Sequence, residues 1–400
     1  MSIEQYKVEI TPLEKDGVYQ STAIAVTDFV MQSGSILKQV DDGDFDIGVF
    51  VFDDVKLRLI NNTGSIESSG RFWDVNSPSS IFKYKRDLAK VTITFLDKTG
   101  VETEQFSGLI NDTLTKEDFD NGFVDITIMS KAGIFNKNAV LGGSVGDGMT
   151  VKEALESILD RPAITNFLNY SSSNINPALD VVIDSGSRLD NLSYKAALDK
   201  IMLMSGSVLI VDSSDNIIVK DRADNGNTKH EFFNAGDAKG LNNIIRMAGY
   251  NTGVQRAFNF YSIDKTFKKD QLLESEWGLR DKKIEVAEFI TNVTTQETII
   301  DYYLANFSTP KQEFQIQMQT EVAKAVNLLD LCTLSYAPIM INSKPNEAFS
   351  FPANTPTVLN KRYISSNIGF KVIAKQVNIG GYTTTLKLRE IGTKAGDSTI

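Results

Sequence analysis

Reactive chemistry is scarce in this chain. Its 400 residues include one cysteine, Cys332, and one histidine, His230. A single thiol excludes an internal disulfide framework and suits assembly in a reducing compartment. One His and one Cys are too few for a His/Cys zinc site, and HExxH is absent. No Walker A loop, GxGxxG fingerprint or GxSxG nucleophile elbow occurs. Gly143, Gly146 and Gly148 precede a helix without an obvious nucleotide-binding strand before them, so phosphate binding is not assigned there. Long apolar runs are missing too. No stretch approaches the ~18 residues of a membrane helix, and MSIEQYKVEITPLEKDG lacks the apolar centre of a secretion signal, so none is expected. Basic excess is also absent. Lys and Arg total 41 against 51 Asp and Glu, a net charge of −10, which argues against gripping nucleic acid by phosphate neutralisation.

What is present is a globular composition. Hydrophobic residues make up 42% and charged residues 23%, which excludes a disordered chain and leaves length for two to four domains. Few residues invite a chemical role. His230, in NTKHEFF, has no nucleophile motif beside it and reads as a surface or strand-edge residue. Cys332, in LLDLCTLSY, reads as a buried thiol. Asp41, Asp42, Asp44, Asp46, Asp53 and Asp54 crowd one stretch and could offer oxygen ligands to a hard cation. Their spacing is not that of an EF-hand, and a solvated acidic loop is the plainer reading. Two carboxylates would suffice for a glycosidase, but no pair is marked. Asn191-Leu-Ser193 matches a glycosylation acceptor and means little without secretion. No catalytic, cofactor-binding or metal-ligating residue is assigned, and no enzyme activity is expected.

The patterning is more informative. Between Leu192 and Arg222, Tyr194, Ala197, Leu198, Ile201 and Met202 form one helical stripe. Gly206 stops it where a C-terminal cap belongs. Val208–Val211 and Ile217–Val219 then read as a hairpin around the turn residues Asp212–Asn216. Upstream, Val49–Phe52, Val55–Ile60, Val91–Phe95, Phe106–Ile110 and Phe123–Met129 alternate as strands, with a hairpin turn at Asp120-Asn121-Gly122. A flexible Gly-rich link, Gly142–Gly148, leads to a capping box at Thr150 and Glu153 and a helix bearing Val151, Leu155, Ile158 and Leu159. A second box is read at Thr294 with Glu297, opening a helix with Ile299, Ile300, Tyr303, Leu304 and Phe307 on one face. Strands follow at Phe314–Gln319 and Leu328–Tyr336. A long Pro-rich loop spans Pro338–Pro356, and a terminal hairpin runs Phe370–Ile379 and Tyr382–Ile391 about Gly380-Gly381. The expected fold is α+β, mainly β: two antiparallel β-barrel domains flanking a smaller α+β insertion. The expected boundaries are 1–140 for the first barrel and 141–230 for the α+β domain, with 231–310 an irregular connecting domain and 311–400 the second barrel.

The order of these elements resembles the central tail or baseplate hub of tailed bacteriophages, a late-control-protein-D-like family also found in contractile injection systems. Four segments carry the likeness: Phe106-Ser-Gly-Leu-Ile110; Thr150–Leu159; the helix–hairpin unit Ser193–Asp221; and Asp330–Leu334 with the terminal hairpin Phe370–Glu390. The resemblance implies a structural virion protein that joins tail tube to tip or spike and forms part of the DNA-passage channel. It implies self-association into a ring, a trimer with a hexamer as the alternative, closed by heterologous contacts. Implied partners are the tail tube or distal tail protein, the tail spike or fibre and the tape-measure protein, with DNA passing without tight binding. The implied location is the virion tail, assembled in the host cytoplasm. On this reading Asp41–Asp54 would repel phosphate from a channel wall, against the alternative of an outer solvated loop. Other functions stay open: a hexameric distal tail protein, a glycan-binding adhesin stacking sugars on Trp73 and Trp277, and a cell-wall hydrolase using carboxylates.

Overall fold

The computed structural model describes residues 6–39, 54–61, 73, 80–82, 84–118, 120–137, 142–143, 145–212, 214–222, 230–234, 243–251, 257–309, 311–336, 369–379 and 381–391. The strand read at Val49–Phe52 and the loop Pro338–Pro356 lie outside them. The chain is mainly β, with two large curled sheets and few helices, as the alternation anticipates. It divides into two compact units. One comprises Met1–Arg222, Phe258–Ser308 and Val377–Gly381; the other comprises Ala223–Ala257, Thr309–Gln376 and Tyr382–Ile400.

The first unit begins with β1 (Tyr6–Leu13), β2 (Ile24–Ala25), β3 (Val30–Ser33), β4 (Ser35–Gln39), β5 (Asp54–Ile60), β6 (Lys85–Leu96), β7 (Glu102–Ile110), β8 (Lys116–Asp118) and β9 (Phe123–Ser130). All of these except β4 form one antiparallel sheet in the order β2-β1-β6-β7-β9-β5-β3, with β8 also on β9. The two edge strands are joined only by Val26–Phe29. That link spans at most about 18 Å fully extended, whereas seven strands laid flat would hold the edges about 29 Å apart. The sheet must therefore curl until its edges approach. Val26 N donates to Val8 O (2.8 Å) and Val8 N to Thr27 Oγ1 (2.9 Å), tying the link to β1. Val8, Ile10, Leu57, Leu59, Val91, Ile93, Phe95, Ile126 and Ile128 fill the interior. Gly108, the glycine of Phe106-Ser-Gly-Leu-Ile110, has a packing reason: a Cβ there would lie 2.4 Å from Met129 O and 2.6 Å from the Phe106 ring.

The α+β part of the same unit follows. The helix Val151–Leu159 carries the expected capping box: Glu153 N donates to Thr150 Oγ1 (3.3 Å) and Thr150 N to Glu153 Oε2 (2.9 Å). The helix Tyr194–Ser205 buries all five residues of its predicted stripe and ends at Gly206, left-handed at φ 65°. Next, β10 (Ser207–Val211) pairs with β11 (Ile217–Asp221). The helix Val293–Phe307 packs Ile299, Ile300 and Tyr303 into the same core as Leu198, Ile201 and Met202. Its start differs from the reading at Thr294. Asn292 is the cap, its Oδ1 accepting from Thr294 N (2.9 Å) and Thr295 N (3.2 Å). Asn caps as well as Thr, and Asp184 fixes this turn further by accepting from Thr291 N (2.6 Å) and Asn292 N (2.7 Å).

The second unit contains β12 (His230–Asn234) and β13 (Arg246–Asn251). In chain order β14 (Phe260–Ile263), β15 (Thr266–Lys269) and β16 (Asp281–Lys283) come next and form a small sheet of the first unit. The second unit resumes with β17 (Glu313–Gln319), β18 (Leu331–Tyr336), β19 (Gly369–Asn378, of which Val377 and Asn378 are counted with the first unit) and β20 (Thr383–Glu390), in the order β12-β18-β19-β20-β17-β13. This sheet also curls round. Asn243 N and Ile244 N donate to Phe233 O of β12 (3.0 and 3.2 Å), while Ile245 N donates to Gln317 O of β17 (2.8 Å). Three consecutive residues thus reach from one edge of the sheet to the neighbour of the other. One pairing departs from a purely antiparallel sheet: β12 runs parallel to β18. Phe314, Ile316, Met318, Leu334, Phe370, Val372, Leu386 and Leu388 form its core.

Candidate functional site

The second unit brings the lone histidine and lone cysteine together. His230 and Cys332 are register partners across β12 and β18. His230 Nε2 donates to Asp330 Oδ2 at 2.8 Å, and its ring lies nearly parallel to that of Phe232 (7°, centroids 6.2 Å apart). Asn327 N donates to the same Asp330 oxygen at 2.9 Å.

Cys, His and Asp are the residue types of a thiol nucleophile, but the arrangement works against one. A reactive cysteine needs an exposed thiol whose pKa is pulled down. Cys332 is fully buried and donates to Phe370 O at 3.6 Å. Burial, reinforced by the Asp330 charge, pushes its pKa far up. The imidazole nitrogen that bonds Asp330 is spent on holding the start of β12 to the turn before β18. The cluster is a clasp between strands.

The other sequence-flagged residues have places of their own. Trp73 is 1% exposed, packs near Phe82, and donates from Nε1 to Ile60 O at 2.8 Å. It is a core residue of the first unit and offers no face to a sugar. The side chain of Trp277 lies outside the described residues, as do Asp41, Asp42, Asp44, Asp46 and Asp53; Asp54 opens β5. The glycine link is hydrogen-bonded in place. Gly142 N donates to Asp190 O (3.2 Å), Val145 N to Asp190 Oδ1 (3.1 Å) and Gly148 N to Ile183 O (2.8 Å). Ser193, of the Asn191-Leu-Ser match, caps the helix Tyr194–Ser205 through Ala196 N. Among the described residues no group of three His, Cys, Asp or Glu could hold a metal, and no helix is long and apolar enough to cross a membrane.

The structure adds charged groups that the sequence did not single out. Arg86, 9% exposed, donates to Asp112, Glu117 and Trp73 O. Glu313, 3% exposed, accepts from Arg389 and faces Lys387 Nζ at 3.3 Å. The signal for Glu313 was available: pairing EFQIQMQ against TTTLKLRE places Glu313 opposite Arg389. Each of these carboxylates is matched by a cation, the arrangement a buried charge needs to persist. They tie neighbouring strands and turns together.

The geometry thus presents two curled sheets and no reaction centre among the described residues. Solved structures share this arrangement along nearly the whole chain. A tail protein from Neisseria meningitidis MC58 superposes with a TM-score of 0.56 at 10% identity, over 96% of this chain and 97% of that one. The 43 kDa tail protein of prophage MuSo2 from Shewanella oneidensis gives 0.52 at 10% identity, over 96% and 97%. Prophage tail protein gp18 from Listeria monocytogenes EGD-e gives 0.52 at 11% identity, over 96% and 94%. The fold is that of a phage tail protein. At 10% identity it is the fold that is shared, and it extends through both units. No protein-family model matches the sequence, and no curated protein does. The segments that carried the tail-hub resemblance occupy defined places in this fold: Phe106–Ile110 ends β7, Thr150–Leu159 is a capped helix, Ser193–Asp221 is the helix and β10–β11 hairpin, and Phe370–Glu390 is β19 with β20.

Proposed function

We propose that this protein is a structural subunit of a phage tail or baseplate hub. It would associate into a ring, most simply a trimer, that joins the tail tube to the tail tip or spike and lets DNA through without holding it. The observation that carries this reading is the presence of two curled β-sheets in one chain, within a fold shared end to end with tail proteins. Three such chains present six sheets, which suits a collar beneath a six-fold tube. Curled sheets whose ends are joined by short links leave few bare strand edges, so contacts between subunits are specified by faces rather than by strand addition. The acidic balance agrees with passage of DNA rather than retention. Tube, spike and tape-measure proteins are the proposed partners, and the virion tail, assembled in the host cytoplasm, is the proposed location. An enzymatic role is not proposed. The adhesin alternative loses Trp73 to the core.

Immunogold labelling of virions tests the assignment. Label at the distal end of the tail is expected. Label along the tube or on the head, or particles that carry none of this chain, would overturn it.

A further inference from the structure

Asp120-Asn121-Gly122 serves the fold as a hairpin turn, but Asn-Gly also carries chemistry of its own. Glycine has no side chain to shield its amide nitrogen from the asparagine before it. Attack of Gly122 N on Asn121 Cγ would form a cyclic imide and expel Asn121 Nδ2 as ammonia, which takes up the proton lost from Gly122 N. Water then opens the imide to aspartate or isoaspartate. Asn121 is exposed and so accessible to that water.

The turn between β8 and β9 holds the atoms that this reaction must move. Gly122, left-handed at φ 68°, donates from N to Asp118 O (3.0 Å) and accepts at O from Asn61 N (2.8 Å). Asn121 N donates to Asp118 Oδ1 (2.9 Å), and Asn121 Nδ2 donates to Asp118 Oδ2 (2.9 Å). Asp118 therefore grips the nucleophile through its carbonyl and the leaving group through its carboxylate.

We propose that Asn121 is a latent modification site: Asp118 keeps it as asparagine while the β8–β9 hairpin is closed, and opening of the hairpin lets the imide form. Ring closure turns Gly122 N away from Asp118 O and takes Asn121 Nδ2 away from Asp118 Oδ2. Losing two such bonds slows the reaction in the folded chain about 5–150-fold. Isoaspartate does not fit the old turn, because it carries the main chain through the side-chain carbon, one atom longer between Asp118 and Gly122. Either product also adds a carboxylate beside Asp118 and Asp120. An opening of this hairpin is thus recorded covalently.

The test incubates the full chain at mildly alkaline pH, folded and in denaturant, and follows conversion of Asn121 by mass spectrometry of its proteolytic peptide. Asn225, which stands in the same Asp-Asn-Gly sequence, calibrates the rate in denaturant. Asn121 is expected to convert about 5–150-fold more slowly in the folded chain than in denaturant. Equal rates in the two states overturn the proposal, and this comparison needs no variant. Asp118→Ala is expected to speed conversion of Asn121 in the folded chain. Asp97→Ala is the control: it unties a different turn of the same sheet, where Asp97 Oδ1 accepts from Thr99 N (2.8 Å) and Val101 N (2.8 Å), and it should leave Asn121 unchanged. No gain in rate for Asp118→Ala, or an equal gain for Asp97→Ala, overturns the guarding role of Asp118.

Discussion

Gly206→Ala is expected to be among the most damaging single-methyl changes in the chain, and its cost can be worked from three observations. Gly206 is left-handed at φ 65°, where an L-residue loses about 1–2 kcal/mol. A Cβ there would stand 2.2 Å from Tyr302 Cε1, far inside contact distance. Tyr302 cannot swing away freely, because its hydroxyl donates to Gly206 O (3.0 Å) and also bonds Asp221. Moving the ring forfeits those bonds at about 0.5–1.5 kcal/mol each. The sum is about 2–5 kcal/mol, or roughly 4–20 °C in the melting of a unit of this size. Calorimetry on the parent, Gly206→Ala, Tyr302→Ala and the double variant separates the causes. In the Tyr302→Ala background only the backbone term should remain, so Gly206→Ala should cost about 1–2 kcal/mol there. A cost below ~0.5 kcal/mol in the parent, or an equal cost in both backgrounds, would refute the reasoning.

Two further outcomes follow from burial. Leu198→Ala, in the centre of the helix Tyr194–Ser205 and fully buried, should destabilise by ~2–5 kcal/mol without altering the fold; a loss under ~1 kcal/mol in chemical denaturation would show that the stripe is not the core of this unit. Cys332 should resist thiol reagents in the native state and react on unfolding, since burial both shields the thiol and raises its pKa. Rapid stoichiometric labelling of the folded protein at neutral pH would contradict its placement between β12 and β19.

How far the fold was legible depended on the range of the interaction. The helix–hairpin unit was readable because its stripe, stop and turn all lie within thirty residues. The capping box at Thr150 was readable for the same reason. The parallel partnership of β12 with β18 was not. Its five residues, HEFFN, pair with a strand 102 positions on (His230 with Cys332), and no local pattern announces that. The misplaced cap at Thr294 shows a different failure: Asn292, Thr294 and Thr295 are all competent caps, and the choice was made by Asp184, which orders the preceding turn from far away in sequence. Trp73, in the polar stretch Arg71-Phe-Trp-Asp74, reads as a sugar platform on the adhesin alternative. The indole instead finds Ile60 O inside the barrel, and the polar neighbours say nothing about where the ring points. Glu313 stands just before the strand read at Phe314–Gln319, opposite in parity to the core residues Phe314, Ile316 and Met318. Only the cross-strand Arg389 and Lys387 show why a carboxylate there can be buried.

The central claim, a ring-forming hub subunit, is tested most directly by the native mass of the purified full-length chain across a concentration series. The account predicts a species at three times the 44.2 kDa subunit mass. Six copies would favour the distal-tail alternative, and a monomer at every concentration would contradict the hub reading.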